Sequence, residues 1–342
     1  LQTQLLQYRA SLFDGETKLP TLPLVVDPIR KMLERGAVQV FLVRIEQEQS
    51  LESMVGWERY DELLRTLADY LRDVLTTSRG TAGVLCLDNV RGDNFLVFSG
   101  DQREAGRLHE LLENGLAVAD EESGESVTVA LRIGQGTITR SPVQRVERSI
   151  YDGVHSANED FQLRGKALDE HRRKELRTIL LERSVTTLFQ PILRVPTRNI
   201  IGYEALSRGP KGSYLETAEN LFGFSERAGL LGEVELLCVE RALARSHRLP
   251  LGSSVFINLS VRGLEYLEAA SGGLAHVVHL SGWSPREFVL EITERTYAHS
   301  AKILKDRVSA LRGQGFRIAI DDMGTGYSSL AVLADLQPDY IK

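Results

Sequence analysis

Acidic and amide side chains stand at or near the ends of predicted β-strands in the second half of the chain. They are Glu204 in IIGYEAL, Asn258 in VFINL, Glu291 in FVLEIT, and the adjacent pair Asp321 and Asp322 after RIAI. In parallel α/β folds, active sites form where the carboxyl ends of strands meet. Neighbouring carboxylates repel each other unless a cation or proton lies between them, and oxygen ligands suit Mg²⁺ or Mn²⁺ rather than Zn²⁺. The pattern predicts such a metal site, although any one of these acids alone could be an ordinary turn residue.

Alternating strands and helices must position these side chains. The predicted strands are Leu188–Leu193, Ile200–Leu206, Ser254–Leu259, Phe288–Ile292, Arg317–Ile320 and Tyr340–Lys342, and the predicted helices are Ala218–Ala228, Glu233–Ser246 and Ala301–Gln314. A short turn joins the first two strands, which should therefore be antiparallel neighbours, whereas the later strands alternate with helices and should be parallel. A barrel and a doubly wound sheet both fit this order.

Six motifs of this segment resemble the EAL family in order and spacing. They are FQPIL (Phe189–Leu193), YEALSR (Tyr203–Arg208), INLS (Ile257–Ser260), LEITE (Leu290–Glu294), DDMGTGYSSL (Asp321–Leu330) and DYIK (Asp339–Lys342). EAL enzymes are phosphodiesterases of the bacterial second messenger cyclic di-GMP, built on a TIM-like barrel whose first strand is antiparallel. The resemblance covers residues 185–342, with Met323 standing where the family usually has Phe.

The resemblance implies a role for each matching residue. Metal ligands are implied at Glu204, Asn258, Glu291, Asp321 and Asp322. Lys342 matches a lysine that helps position or activate the attacking water, Arg208 a phosphate-contacting arginine, and Gln190 a polar contact to the ligand. Two Mg²⁺ or Mn²⁺ ions about 3.5–4 Å apart would support in-line hydrolysis of cyclic di-GMP to linear pGpG.

The number of predicted strands is small for this fold. A (β/α)₈ barrel takes about 250 residues, and this segment stops at a sixth strand. We therefore expect the EAL domain of residues 185–342 to be incomplete, with the natural chain continuing. A chain that ended at Lys342 should turn over weakly or not at all.

The first segment, residues 1–165, mixes helices with short strands. The predicted helices are Leu1–Leu12, Asp27–Arg35, Glu58–Leu75 and Gln102–Ala117, and the predicted strands are Val38–Ile45, Gly83–Asp88, Asn94–Phe98 and Ser126–Ile133. This order predicts an α+β sandwich with helices packed on an antiparallel sheet.

The motifs of the first segment resemble the GGDEF family, which makes cyclic di-GMP and often precedes an EAL domain. They are FDGETKLPT (Phe13–Thr21), VQVFLVRIE (Val38–Glu46), VRGDNFLVF (Val90–Phe98) and ALRIGQG (Ala130–Gly136). Where that family has metal-binding acids, this chain has Arg44 and Asn94. A cation at a Mg²⁺ site opposes metal binding, so we predict a degenerate regulatory domain without cyclase activity. GTP binding as an effector and dimerisation through this domain are both left open.

A charged connector lies between the two segments. Residues 166–184 predict a linker helix, which is either a solvated spacer or a helix that transmits a signal.

The composition is that of an ordinary globular protein. Hydrophobic residues make up 42% and charged residues 26% of 342, and 41 basic against 47 acidic residues give 41 − 47 = −6. An acidic balance disfavours a nucleic-acid polymer as partner. Two cysteines in apolar runs predict buried thiols, and no apolar run reaches the 18 or so residues of a membrane span. We expect a cytoplasmic protein, or the cytoplasmic portion of a larger signalling protein, that forms a homodimer and carries an upstream sensor domain.

Two classes of function remain. The leading hypothesis is a metal-dependent phosphodiesterase, and the rival is a non-enzymatic cyclic di-GMP receptor or signalling scaffold. The complete acidic set through Asp322, together with Lys342, favours the enzyme.

Overall fold

The computed structural model describes residues 12–46, 57–77, 83–89, 92–100, 102–113, 115–119, 126–195, 197–250, 252–321, 323 and 329–342. The chain divides into two compact units, Leu1–Glu170 and His171–Lys342. The helix predicted at Leu1–Leu12 lies outside the described residues except for its last position, and Asp322 also lies outside them.

The described residues of the first unit form three helices, the beginning of a fourth, and six strands. The helices are α1 (Leu22–Leu33), α2 (Trp57–Thr77), α3 (Gln102–Glu113) and α4 (Val146–Glu182). The strands are β1 (Val38–Ile45), β2 (Val84–Leu87), β3 (Phe95–Ser99), β4 (Leu116–Ala119), β5 (Ser126–Val129) and β6 (Leu131–Ile138).

Four of these strands form an antiparallel sheet in the order β2-β3-β1-β6. Strand β1 lies inside the sheet, and both of its faces are buried. One face packs through Phe41 and Val43 with apolar residues of α2 and α3, and the other packs through Val40 and Leu42 with those of α1 and α4. Burial on both faces explains why VQVFLVRI is nearly continuously apolar. The predicted α+β class is confirmed.

Two predicted elements of the first unit were wrong at their ends. Helix α3 stops at Glu113, because Gly115 takes the left-handed backbone angle φ 80° that ends helices, and residues predicted as its last turn form β4. The single strand predicted at Ser126–Ile133 is two strands, since β5 pairs with β4 while β6 joins β1.

Helix α1 begins earlier than the sequence predicts. The predicted helix begins at Asp27, but the observed helix starts at Leu22. A proline fits the first helical turn because its missing N–H would have no partner there.

The connecting helix is longer and less solvated than predicted. Helix α4 runs for 37 residues from Val146, about twenty residues before the predicted linker. Its last turns bury Leu176 and Ile179 in an apolar cluster of the second unit with Leu215 and Phe224. The solvated-spacer interpretation is therefore wrong for this end of the helix.

The second unit is a six-stranded sheet with helices against one face. Its strands are β7 (Thr186–Arg194), β8 (Asn199–Arg208), β9 (Ser254–Asn258), β10 (Phe288–Thr293), β11 (Arg317–Asp321) and β12 (Tyr340–Ile341). Its own helices are α5 (Ala218–Ala228), α6 (Leu231–Ser246), α7 (Val261–Ser271), α8 (Leu274–Leu280), α9 (Glu294–Gly313) and α10 (Ser329–Leu336). Helix α9 starts before the predicted Ala301, and α7, α8 and α10 were not predicted.

The strand order is β12-β11-β10-β9-β8-β7. Strands β7 and β8 are antiparallel, and every later pair from β8 to β12 is parallel. This arrangement confirms the predicted antiparallel first strand followed by five parallel strands, and consecutive neighbours without a reversal of order favour the barrel-type sheet over the doubly wound one.

No helix within the described ranges is long and apolar enough to cross a membrane. The two cysteines, Cys86 and Cys238, are buried free thiols, as their apolar surroundings predict.

The close packing of α4 against β6 yields a stability prediction. A Cβ added at Gly134 would lie 2.1 Å from the carbonyl oxygen of Ala157 and 2.5 Å from Cβ of Phe161, so the helix backbone would have to move. We expect Gly134→Ala to lower the free energy of unfolding by about 1–3 kcal/mol, the usual cost of overpacking.

The matched control is Gly106→Ala, on α3, where an added Cβ meets nothing within 4 Å. Replacing a helical glycine by alanine there should be neutral or stabilising by about 0.5–1 kcal/mol. Chemical denaturation of both variants measures the difference, and equal stability of the two would contradict the packing argument.

Candidate active site

Five side chains from five neighbouring strands meet at one edge of the second unit's sheet. The ammonium Nζ of Lys342 lies 2.8 Å from Oε2 of Glu204, 2.6 Å from Oε1 of Glu291 and 3.0 Å from Oδ2 of Asp321. The amide Nδ2 of Asn258 donates to Oε1 of Glu204 at 2.9 Å and to Oε2 of Glu291 at 3.0 Å. We call these five residues the carboxylate cluster.

The register of the strands explains why these residues meet. Residues paired across a parallel ladder point to the same face, and Glu291 is paired with Asn258 on β9 and with Ala319 on β11. Side chains alternate along a strand, so Asp321, two residues after Ala319, shares that face. The cluster therefore lies on one face, near the carboxyl ends of the parallel strands.

An apolar layer supports the cluster from below. Phe256, Val289 and Ala319, each two residues before a cluster residue, are fully buried and pack together with Tyr340. Gly202, two residues before Glu204, has no room for a side chain, because a Cβ would lie 2.6 Å from the Phe256 ring. This layer keeps water away from the lower side of the carboxylates.

The cluster carries more negative than positive charge. Three carboxylates and one ammonium give a formal charge of −2, and the Glu291 side chain is 0% exposed. Burial raises the pKa of Glu291 to about 7, and the nearby Glu204 and Asp321 push it the same way, while Lys342 opposes them. Burial alone lowers the pKa of Lys342, but its hydrogen bonds to Glu204, Glu291 and Asp321 outweigh burial and raise it. The ammonium is therefore charged, and the cluster still favours a further cation.

The donor atoms suit a hard divalent cation. One carboxylate oxygen each from Glu204, Glu291 and Asp321 lies within 4.8 Å of the others, a spacing that a single ion with oxygen ligands at about 2.0–2.6 Å can satisfy. Asn258 lies against the same group through its amide nitrogen. Within the described ranges this is the one group of three or more acidic, His or Cys side chains with such spacing.

The remaining predicted site residues lie on the same pair of strands. Gln190 on β7 is exposed and is paired directly with Glu204 across the antiparallel ladder. Arg208 ends β8, and its Nη1 donates to the carbonyl oxygen of Ser207 at 2.8 Å. Their roles, and that of Asp322, stay predictions.

In the first unit, Arg44 contacts Asn94. Both residues stand at positions where the GGDEF pattern has a metal-binding acid. The Nε of Arg44 donates to Oδ1 of Asn94 at 2.9 Å and lies 3.5 Å from Oδ1 of Asp93. The guanidinium also lies over the Phe161 ring, 5.4 Å from its centroid. The two substituted positions, fifty residues apart in sequence, thus contact each other directly.

The sequence reasoning missed a buried carboxylate behind the cluster. Glu235 on α6 is 6% exposed, and its Oε1 accepts from the backbone N–H of Ser260 at 3.1 Å while its Oε2 accepts from the Ser260 hydroxyl at 2.9 Å. An acid inside the apolar run VELLCV was the available signal, since a charged residue on the buried face of a helix requires a polar partner.

Comparisons with known proteins identify the family to which these residues belong. The family model described as "EAL domain" matches residues 173–342. MucR of Pseudomonas aeruginosa, named a bifunctional diguanylate cyclase/cyclic di-GMP phosphodiesterase, is 24% identical over 360 residues, covering 97% of this chain and 51% of MucR. "Probable cyclic di-GMP phosphodiesterase PdeB" of Escherichia coli is 31% identical over 175 residues, covering 49% of this chain and 33% of PdeB.

A solved structure of the S helix-GGDEF-EAL portion of Vibrio cholerae LapD, bound to c-di-GMP, is also similar. It is 14% identical, covers 99% of this chain and 83% of that one, and has a TM-score of 0.45. The chain spans about a third to a half of the length of its curated relatives.

Residues 173–342 belong to the EAL domain family. The resemblance to the EAL family stated from the sequence motifs is thus confirmed, and an α+β unit of the predicted class precedes these residues.

The buried Glu235 yields a prediction of pH dependence. Burial raises the pKa of Glu235 to about 7, against the hydrogen bonds from Ser260, which lower it. Because the folded state then holds the proton more tightly than the unfolded state, stability should fall as the pH rises from about 4.5 to about 7. Glu235→Gln removes the charge and should stabilise the protein by up to about 3 kcal/mol above pH 7, and by nothing below pH 4.5.

Thermal unfolding of both proteins between pH 4 and 8.5 measures this difference. A gain for the variant that is the same at every pH would contradict a titrating Glu235.

Proposed function

We propose that the EAL domain hydrolyses cyclic di-GMP to linear pGpG. The observation that carries the proposal is the convergence of Glu204, Asn258, Glu291, Asp321 and Lys342 at the carboxyl ends of the strands. The names of MucR and PdeB, which identify cyclic di-GMP as their substrate, support the choice of substrate.

The cluster would hold Mg²⁺ or Mn²⁺ through Glu204, Asn258, Glu291 and Asp321, with Asp322 as the adjacent ligand implied by the motif. Divalent cations bound there supply Lewis acidity, which lowers the pKa of a water molecule and stabilises the attacking and leaving oxygens. Carboxylates that an ammonium already holds close together need little further ordering to accept a cation.

Lys342 would act as a charged hydrogen-bond donor. Its pKa is raised by its carboxylate partners, so it does not serve as a base. An ammonium at this edge can orient the attacking water and stabilise negative charge as the water oxygen bonds to phosphorus and the P–O3′ bond breaks. The 3′ oxygen takes up a proton, and one opened ester gives linear pGpG.

Arg208 and Gln190 would bind the substrate. Both stand on the antiparallel pair β7–β8, with Gln190 directly opposite Glu204 in the ladder. A guanidinium offers paired donors that match a phosphate group, and a glutamine amide can donate to or accept from ligand polar atoms.

We infer that the GGDEF-like unit regulates rather than synthesises. Arg44 donates to Asn94 at the place where the GGDEF pattern expects acids for Mg²⁺, so a fixed positive charge replaces the metal's ligands. GTP as an effector of this unit, a homodimer and an upstream sensor belong to the same proposal.

The first test removes a proposed metal ligand from the full-length protein. Glu204→Ala should reduce pGpG formation with Mn²⁺ by at least about 100-fold, because the cluster loses a ligand and a partner of Lys342. Chromatography of the nucleotides measures the product, and Glu219→Ala on the first turn of α5 is the control that should retain activity.

Activity of Glu204→Ala equal to that of the unaltered protein would overturn the metal assignment. If the unaltered protein binds cyclic di-GMP in a titration but leaves it intact with Mg²⁺ and with Mn²⁺, the receptor function replaces the enzyme.

The second test concerns the first unit. Incubation of the Glu204→Ala variant with GTP and Mg²⁺ should give no cyclic di-GMP, because Arg44 opposes the metal that cyclisation needs. The variant background keeps any product from being hydrolysed, so its accumulation on the chromatogram would contradict the proposed loss of cyclase activity.

A further inference from the structure

The EAL domain contains a buried carboxylate that no proposed step of hydrolysis uses. Glu235 directs both of its oxygens at a single residue, Ser260, as described above. Position 263 has no room for a side chain, because a Cβ added at Gly263 would lie 1.5 Å from Oε2 of Glu235. The backbone of α7 therefore lies directly against the carboxylate.

Ser260 in turn determines how the chain leaves β9. Its hydroxyl accepts from the backbone N–H of Gly263 at 2.9 Å, which caps the first turn of α7. Only Leu259, itself buried, separates Ser260 from Asn258, the last residue of β9. The chain on either side of Leu259 is thus held by the β9–β10 ladder and by Glu235.

Asn258 is the member of the cluster that joins two carboxylates. Its single amide nitrogen donates to Glu204 and to Glu291, so a small rotation of Asn258 breaks one of these bonds or both. The direction of this side chain depends on the backbone at the end of β9. Any shift of Ser260 therefore moves Asn258 relative to the carboxylates of Glu204 and Glu291.

The type of residue at position 235 is also unusual for its surroundings. A carboxylate at 6% exposure that receives hydrogen bonds from one serine costs stability. A leucine would suit the apolar neighbours Val234 and Leu237 better, but it could not hold Ser260. The polar contact is thus specific to the turn beside the cluster.

We propose that Glu235 is a positioning residue for metal binding: by holding the N–H and the hydroxyl of Ser260, it sets the direction of Asn258 and, through it, the spacing of Glu204 and Glu291. This inference rests on the proposed function, because it assigns the cluster a metal ion.

The test compares three variants of the full-length protein. Glu235→Asp keeps the charge but shortens the side chain, so it cannot reach both donors of Ser260. Glu235→Gln keeps the length, accepting from the N–H with its oxygen and donating to the hydroxyl with its amide. Glu233→Asp makes the same shortening two residues away on α6, at a half-buried position outside this contact.

The readout is the dissociation constant of Mn²⁺ without nucleotide, measured by calorimetry below the melting temperature of each variant. Glu235→Asp should weaken Mn²⁺ binding about tenfold, as loss of a residue that orients a metal ligand does, and should lower kcat more than it raises KM. Glu235→Gln and Glu233→Asp should bind Mn²⁺ within about twofold of the unaltered protein.

A Glu235→Asp variant that melts earlier but binds Mn²⁺ normally would show a structural role only and overturn the inference. If that variant does not fold, Ser260→Ala replaces it, and normal Mn²⁺ binding by Ser260→Ala has the same meaning. Absence of Mn²⁺ binding in the unaltered protein would overturn the proposed function together with this inference, whereas normal binding and turnover in every variant would overturn the inference alone.

Discussion

Three carboxylates at the ends of neighbouring strands cannot remain close together without positive charge between them. In the EAL domain Lys342 supplies part of that charge, with contacts of 2.6–3.0 Å to Glu204, Glu291 and Asp321. A formal charge of −2 is left uncompensated in a group whose most buried member has a raised pKa. The electrostatic requirement for a further cation is what connects the fold to the metal-dependent reaction proposed above, because carboxylates with enough partners of their own would gain little from a metal ion.

The sheet brings the carboxylates together because its strand register directs their side chains to the same face. The parallel ladders from β8 to β12 point the cluster residues to one face, and fully buried apolar side chains two residues earlier in the strands close the space beneath them. On the other face, the helices cover Val255, Ile257 and Leu290. A shift of one residue in the pairing of any strand would turn its cluster residue toward this apolar core. The same strand register therefore specifies both the packing of the core and the position of the carboxylate cluster.

In the GGDEF-like unit, a side chain of the protein supplies the positive charge that lies beside the polar residues. There, Arg44 takes the place of an acid and donates to Asn94 close to Asp93, so the positive charge belongs to the protein itself. A covalently attached guanidinium cannot leave or exchange. The positive charge at this place is therefore permanent, as the proposed regulatory role requires, whereas the EAL domain retains an excess of negative charge.

Much of the fold follows from short-range patterns in the sequence. All six strands of the EAL domain were predicted to within two residues at either end, because a side chain in a strand alternates between two faces and the polar residues fall at one phase of that alternation. Glu204, Asn258, Glu291 and Asp321 could be selected because they stand at or near the ends of predicted strands, and Lys342 because its motif resembles that of the EAL family. The charged connector of residues 166–184 was also predicted to be a helix. Its burial could not be read from its charged sequence, since Leu176 and Ile179 share a cluster with Leu215 and Phe224, which lie 36 or more residues away.

Only the tertiary structure decided which atoms meet. The pairing of β4 with β5 turned the predicted end of a helix into a strand, because a partner strand outweighs weak local propensity. The contact of Glu235 with Ser260 and the bond from Arg44 to Asn94 join residues 25 and 50 positions apart. The sequence by itself determined the types of side chain, their phase on each strand and the family. Distances, burial and therefore the charge balance came from long-range packing, which local patterns do not encode.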